Sequence, residues 1–247
     1  MFKVLSKEVN MSFLKAEWRK LLMANYEIDP KLLLPHVPAG TELDLWDGKC
    51  FVSLVGFLFL NTKVLGLKIP FHTNFEEVNL RFYVKRFVNN EWRRGVVFIK
   101  EIVPKAALTL IANAVYKEHY ETQNMNHSWL NEASQLTVKY EWGKKELTQR
   151  AIAICSDKAQ EIMAGSKEEF IAEHYWGYAK INNLTTNEYE VVHPKWTHYP
   201  VLSTAIDVDF KAKYGNEFEP LNKMKPSFTL LAEGSTISVE QKNQLIF

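Results

Sequence analysis

Hydrophobic and polar residues alternate with period two through most of the first half of the chain, and β-branched and aromatic residues crowd the segments between turn residues. This pattern predicts a first strand over 18–28. A short helix follows, with Asp29 as its cap and Pro30 in the first turn, where a missing N–H does no harm; Pro35 and Pro38 end it. Strands over 42–46 and 49–60 flank Asp47-Gly48, the strongest hairpin signal in the chain, and are expected to pair antiparallel. Strands over 75–87 and 95–103 flank Asn89-Asn90-Glu91 as a second expected hairpin, which Pro104 stops. Over 105–116 the apolar residues become continuous and alanine-rich, as suits a buried helix opened by proline.

The second half is less regular. Strands are expected over 136–142, 149–155, 175–181, 188–193 and 227–240, and Ser166 to Glu169 has capping-box spacing that predicts a short helix before His174. No repeat, charge block or Ser/Gly-rich linker divides the chain, so residues 1–247 read as a single β-rich α+β domain. Met11 is an alternative start, which makes residues 1–10 an N-terminal extension.

Charge and composition remove several classes of function. Thirty basic against twenty-nine acidic residues give a net charge of +1, so there is no electrostatic footprint for nucleic acid or an anionic membrane. The most hydrophobic run, 50–60, is interrupted by Ser53 and Gly56 and is half the roughly 20 residues a membrane helix needs. No secretory segment opens the chain, and Cys50 and Cys155 sit singly in apolar runs as small buried hydrophobes, so a cytoplasmic protein is expected. No P-loop, GxGxxG, GxSxG or HExxH motif occurs, and the seven histidines are scattered, so neither a cofactor nor a metal is expected.

Three stretches carry candidate chemistry. On a strand, Val78, Leu80, Phe82 and Val84 share one face, and Glu77, Asn79, Arg81 and Tyr83 share the other. The polar face is either solvated or the lining of a cavity that orients a small ligand. Glu101, on the next strand, is expected on the face of Val97 and Ile99, where it is either in an ion pair with Arg81 or Arg19 or a pocket carboxylate with a raised pKa. Lys105 follows Pro104 among apolar neighbours; it either reaches solvent or, if buried, becomes a nucleophile toward carbonyls. His174, Trp176 and Tyr178 share a strand face, followed by His193-Pro-Lys-Trp196, and form either core packing or the wall of a ligand pocket. Lys144-Lys145 reads as an exposed turn.

At these residues the chain resembles a family. Glu17-Trp-Arg-Lys-Leu, Asn25-Tyr-Glu-Ile-Asp-Pro, Leu34-Pro-His-Val-Pro, Val52-Ser-Leu-Val-Gly-Phe, the stretch 74–84, Gly95-Val-Val-Phe and His174-Tyr-Trp-Gly-Tyr are similar to the bacterial YqjF-like proteins, the DUF2071 family of unknown function. The likeness covers nearly the whole chain. It implies a fold similar to acetoacetate decarboxylase: a large, curved, mainly antiparallel sheet forming a cone or barrel around a cavity, with a few short helices. The resemblance also implies that Lys105 matches the Schiff-base lysine of that enzyme and Arg19 its carboxylate-binding arginine. Ala106 stands where the enzyme has the second lysine that tunes the first, and Ser53 stands near the place of a pocket glutamate.

Two functions follow as expectations. The first is a protein that binds a small organic acid or carbonyl compound, with Arg19 or Arg81 as carboxylate clamp, Glu77, Asn79, Tyr83 and Glu101 as polar lining, and His174 and Trp176 as wall. The second is a lyase in which Lys105 forms an imine with an oxo acid and Glu101 moves protons. A homo-oligomer through the aromatic surface is left open.

Overall fold

The computed structural model describes residues 12–115, 118–144 and 147–247. The expected N-terminal extension, Tyr116 and Lys145 lie outside them. The first half runs through β1 (Leu14–Glu27), helix α1 (Pro30–Leu33), β2 (Glu42–Leu43), β3 (Phe51–Val64), β4 (Phe75–Val88), β5 (Glu91–Val103) and helix α2 (Ala106–Val115). The second half adds β6 (Tyr120–Thr122), β7 (Met125–Glu132), β8 (Gln135–Trp142), β9 (Gln149–Ser156), β10 (Gln160–Glu161) and helix α3 (Lys167–Ala172). These are followed by β11 (Trp176–Lys180), β12 (Thr185–Val192), β13 (Thr197–Tyr199), β14 (Val201–Asp207), helix α4 (Phe210–Tyr214), β15 (Phe228–Val239) and β16 (Asn243–Ile246).

Twelve strands form one sheet, ordered β10-β13-β15-β1-β3-β4-β5-β11-β12-β16, with β2 on β4 and β6 on β5. It is mainly antiparallel; β5 pairs in parallel with β11 and β6. Because β12 also pairs with β15, through Val191–Val239 and Val192–Ser238, the sheet curls back toward its own start as a cone. A second sheet, β14-β9-β8-β7, covers the outer face. There Val78, Leu80, Phe82 and Val84 of β4 pack in one core with Leu136, Val138, Tyr140 and Trp142 of β8. The inner face carries a separate core, which includes Leu21, Met23, Phe57, Phe59, Tyr83 and Trp196. Burial on both faces explains why β3 reads as a nearly continuous apolar run. Cys50 and Cys155 are buried free thiols, and burial pushes them up to about 11 and about 12.

The Asp47-Gly48 turn forms, with positive φ at both residues, but it closes only the bridge between Trp46 and Lys49. β2 pairs with β4, not with the strand that follows it. The fourteen-residue β3 is flanked by β1 and β4, two neighbours of its own length, which a two-residue partner cannot displace. Among the described residues no helix is long and apolar enough to cross a membrane.

Candidate functional site

The inner face of the cone encloses a cavity of about 140 Å³, roughly ten times what a single water needs. Strand β4 presents Glu77, Asn79 and Arg81 to it by simple alternation. Glu101 reaches it by a less regular route. A bulge places Arg81 opposite Phe98 and Leu80 opposite Lys100, so Ile99 and Lys100 both fall on the outer side. Val96, Phe98 and Glu101 therefore face the cavity, while Val97 and Ile99 pack in the outer core. Glu101 is thus on the face opposite to the one simple alternation assigned it.

Strand β6 lies parallel to β5 with Tyr120 beside Glu101, and Glu118 sits just before it. Helix α3 opens as its sequence requires: Ser166 accepts from the Glu169 N–H at 3.1 Å, and Glu169 accepts from the Gly165 N–H at 2.7 Å. Its end delivers His174 and then Trp176 to the cavity wall. Tyr189 of β12 lies across from Gly177 and completes the polar lining with His193. Trp18, Phe57, Phe59, Phe75, Phe98 and Trp196 supply most of the apolar wall.

Three glutamates are buried together. Asn79 donates to Glu77 at 2.9 Å, Tyr120 donates to Glu77 at 3.3 Å, and Tyr189 donates to Glu118 at 2.9 Å. Burial pushes Glu77 up to about 7, against the donations from Asn79 and Tyr120 and the charge of Arg81. Burial likewise raises Glu118 to about 7. Glu101 is held well above the usual carboxylate range by burial and then by the neighbouring charges of Glu118 and Glu77. Among the described residues no group of histidine, cysteine or acidic side chains is arranged to hold a metal ion.

Arg81 is 7% exposed and makes no ion pair within 4 Å among the described residues; its Nη2 lies 3.7 Å from the Met23 sulfur, and its guanidinium lies 5.7 Å from the Tyr83 ring. Nearby, His174 has Nε2 at 3.3 Å from Asp44 Oδ2 and 3.4 Å from Arg94 Nη2, and burial pushes its pKa down to about 4. Among the described residues, five buried polar atoms of the lining have no hydrogen-bond partner: Trp18 Nε1, Asn79 Oδ1, Arg81 Nε, Glu101 Oε2 and His174 Nδ1. Such atoms are costly in a finished core, and here they converge on one cavity.

The structure brings Glu77, Asn79, Arg81, Glu101, His174 and Trp176 together around the cavity. Tyr83 stands behind them, its hydroxyl 2.6 Å from Ser53 Oγ and its ring 4.6 Å from that of His174. Tyr178 packs in the outer core. Arg19 is turned away: Lys20 takes a positive φ of 53° and the β1–β3 register shifts there, so Arg19 shares the face of Glu17, which holds its guanidinium together with the Gly234 carbonyl at 3.4 Å. Lys105 is not in the lining either, because β5 ends at Val103 and Pro104 starts the turn into α2, whose first hydrogen bond runs from Thr109 N–H to the Lys105 carbonyl at 3.2 Å. Glu118, Tyr120 and Tyr189 were not anticipated. Alternation with Val191 within the expected strand 188–193 would have placed Tyr189, whereas Glu118 and Tyr120 follow a helix with no pattern to orient them.

The DUF2071 family model, described as an uncharacterized conserved protein, matches residues 15–236. The uncharacterized protein YqjF of Bacillus subtilis (strain 168) is 33% identical over 72 residues, which are 29% of this chain and 30% of that protein, so the match spans less than a third of the relative's length. Acetoacetate decarboxylase from Legionella pneumophila superposes with a TM-score of 0.62 at 12% identity, covering 95% of this chain and 87% of that one. The enduracididine biosynthesis enzyme MppR complexed with pyruvate gives 0.62 at 9% identity over 94% and 90%. An acetoacetate decarboxylase-like enzyme from Sphingomonas wittichii RW1 gives 0.60 at 12% over 95% and 94%. At these identities the likeness is one of fold.

Proposed function

We propose, from the premise that this chain belongs to the DUF2071 family and has the acetoacetate decarboxylase-like fold, that its cavity binds a small organic acid whose carboxylate is taken by Arg81. The observation that carries this reading is the state of Arg81. A guanidinium removed from water without a counter-ion is expensive to keep, and a ligand carboxylate would offset that cost with two parallel charge-assisted hydrogen bonds. The orphaned Nε is one of the donors such a fork uses. Support also comes from the fold relative MppR, whose structure with pyruvate holds a 2-oxo acid. Glu77, Asn79 and Glu101 would then orient the remainder of the molecule, with His174 and Trp176 as wall.

A thermal-shift screen of small acids, including pyruvate, against the full chain tests the reading. At a hundredfold excess over Kd a true ligand adds about 2.7 kcal/mol of stability. The response should vanish in Arg81→Met; an unchanged response in that variant, or no stabiliser at all, would overturn the proposal. The lyase alternative lacks support, because among the described residues no lysine lines the cavity.

A further inference from the structure

We infer that the acid held at Arg81 is amphoteric, carrying a protonated nitrogen (amine, amidine, guanidine or imidazole) at the end remote from its carboxylate. This rests on the carboxylate reading and adds to it the class of molecule. The argument starts from the polarity of the cavity along β4. Glu77 and Arg81 lie four residues apart on one face, so about 13 Å separates their Cα atoms at about 3.3 Å per residue. Asn79 lies midway, with Glu101 directly across from it and Tyr120 beyond Glu101. One end of the cavity is therefore cationic, while Glu77 stands at the other end and Glu101 midway between them.

The unpartnered atoms divide in part the same way. Arg81 Nε is a free donor at one end, with His174 Nδ1 near it; toward the Glu77 end Asn79 Oδ1 and Glu101 Oε2 accept when the carboxyl is ionised, and the amide oxygen can do nothing else, while Trp18 Nε1 is a free donor beside them. Among the described residues Asn79 and Tyr120 donate to Glu77 and Tyr189 donates to Glu118, and no basic side chain lies within ion-pair distance of Glu77, Glu101 or Glu118. The complement of such a cavity is a molecule with acceptors at one end, donors at the other and an apolar spacer between them. A cationic nitrogen among three buried carboxyls also draws off their protons, so binding is expected to release protons to the buffer.

Titration calorimetry on the full chain distinguishes the possibilities, with ω-amino acids of one to five methylenes as probes and alkanoic acids of matching length as controls, each in two buffers of different ionisation enthalpy. The expected result is at least tenfold tighter binding of the amino acid at the best length, with buffer-dependent heat that reports proton release. In Glu101→Gln, and independently in Glu118→Gln, the ratio of amino-acid to alkanoate affinity should fall toward one. If the alkanoates bind wild type as tightly as the amino acids and without proton release, the amphoteric ligand is ruled out while the carboxylate reading stands. If no compound of either series binds, both fall together.

Discussion

Asn79 and Glu101 face each other across the β4–β5 ladder, both buried, and each keeps one side-chain oxygen without a hydrogen-bond partner. Two side-chain oxygens without partners in register on one inner face are a poor solution for stability alone. The pair exists because the bulge at Ile99 brings Glu101 round to the side of Asn79, and the nearby Glu77 and Glu118 add further carboxyls to the same space.

Stability of the ligand-free protein should fall as pH rises through neutrality. Glu77 and Glu118 keep their protons up to about 7 in the folded chain, whereas an unfolded glutamate releases its proton near 4.3. Between those values the native state binds more protons, so this contribution is complete below the unfolded pKa and is lost as pH climbs past the folded one. His174, pushed down to about 4, and His193, also lowered by burial, act in the opposite sense, but theirs is lost only as pH falls below about 6.5. Melting temperatures are therefore expected to decline from pH 6.5 to 8, and the decline should flatten in a Glu77→Gln, Glu118→Gln double variant. An equal slope in both proteins would show that these carboxyls ionise normally.

Ser53 should matter more than its size suggests. It is fully buried, its hydroxyl donates to Asn25 Oδ1 at 2.6 Å, and it lies 2.6 Å from the Tyr83 hydroxyl. Ser53→Ala leaves one or both partners unsatisfied beneath the cavity floor, at a cost of about 1–3 kcal/mol in denaturant unfolding. Ser53→Ala combined with Tyr83→Phe should lose less than the sum of the single changes, because one hydrogen bond is then removed twice.

Much of this was legible in the chain itself. The alternation from Glu77 to Val84 sorted the residues of β4 into the two sets that its faces carry, because no residue there interrupts the pleat, while leaving open whether the polar face was solvated or closed; the Ser166 capping box located α3. What alternation cannot register is an added residue. Neither Lys20 nor Ile99 is a glycine or flanked by a proline, yet each marks a change of register, and these two places reverse the expected sides of Arg19 and Glu101. The pairing of β2 was hidden for another reason: the Asp47-Gly48 turn is a local signal, while the competition of β1 and β4 for β3 is settled by strands distant in sequence. Glu118 gave no signal, because the polar stretch around it follows a helix with no alternation to orient it.

Gly177 is expected to resist a side chain. A Cβ there would lie 2.2 Å from Tyr189 Cζ and 2.5 Å from its hydroxyl, since the tyrosine ring lies over this glycine from the paired strand. Gly177→Ala must displace the ring that donates to Glu118, so it should cost about 1–3 kcal/mol as an overpacked core change. It should also weaken whatever the cavity binds. Wild-type stability together with an unchanged ligand response would mean that Tyr189 moves freely and is no fixed part of the wall.

Lys105 offers the sharpest test of whether likeness of fold extends to likeness of chemistry. An amine becomes a nucleophile near neutral pH when burial or an adjacent cation disfavours its proton. Lys105 is half-buried just before α2 and outside the cavity lining, Ala106 follows it, and the strand that would have carried its side chain to the cavity has already ended at Val103. Borohydride reduction in the presence of pyruvate should leave the intact mass of the wild-type chain without an adduct, and Lys105→Ala should keep the wild-type thermal response to small acids. An adduct that forms on wild type and disappears in Lys105→Ala would mean that the α2 turn rearranges to admit the amine, and would return the imine mechanism to first place.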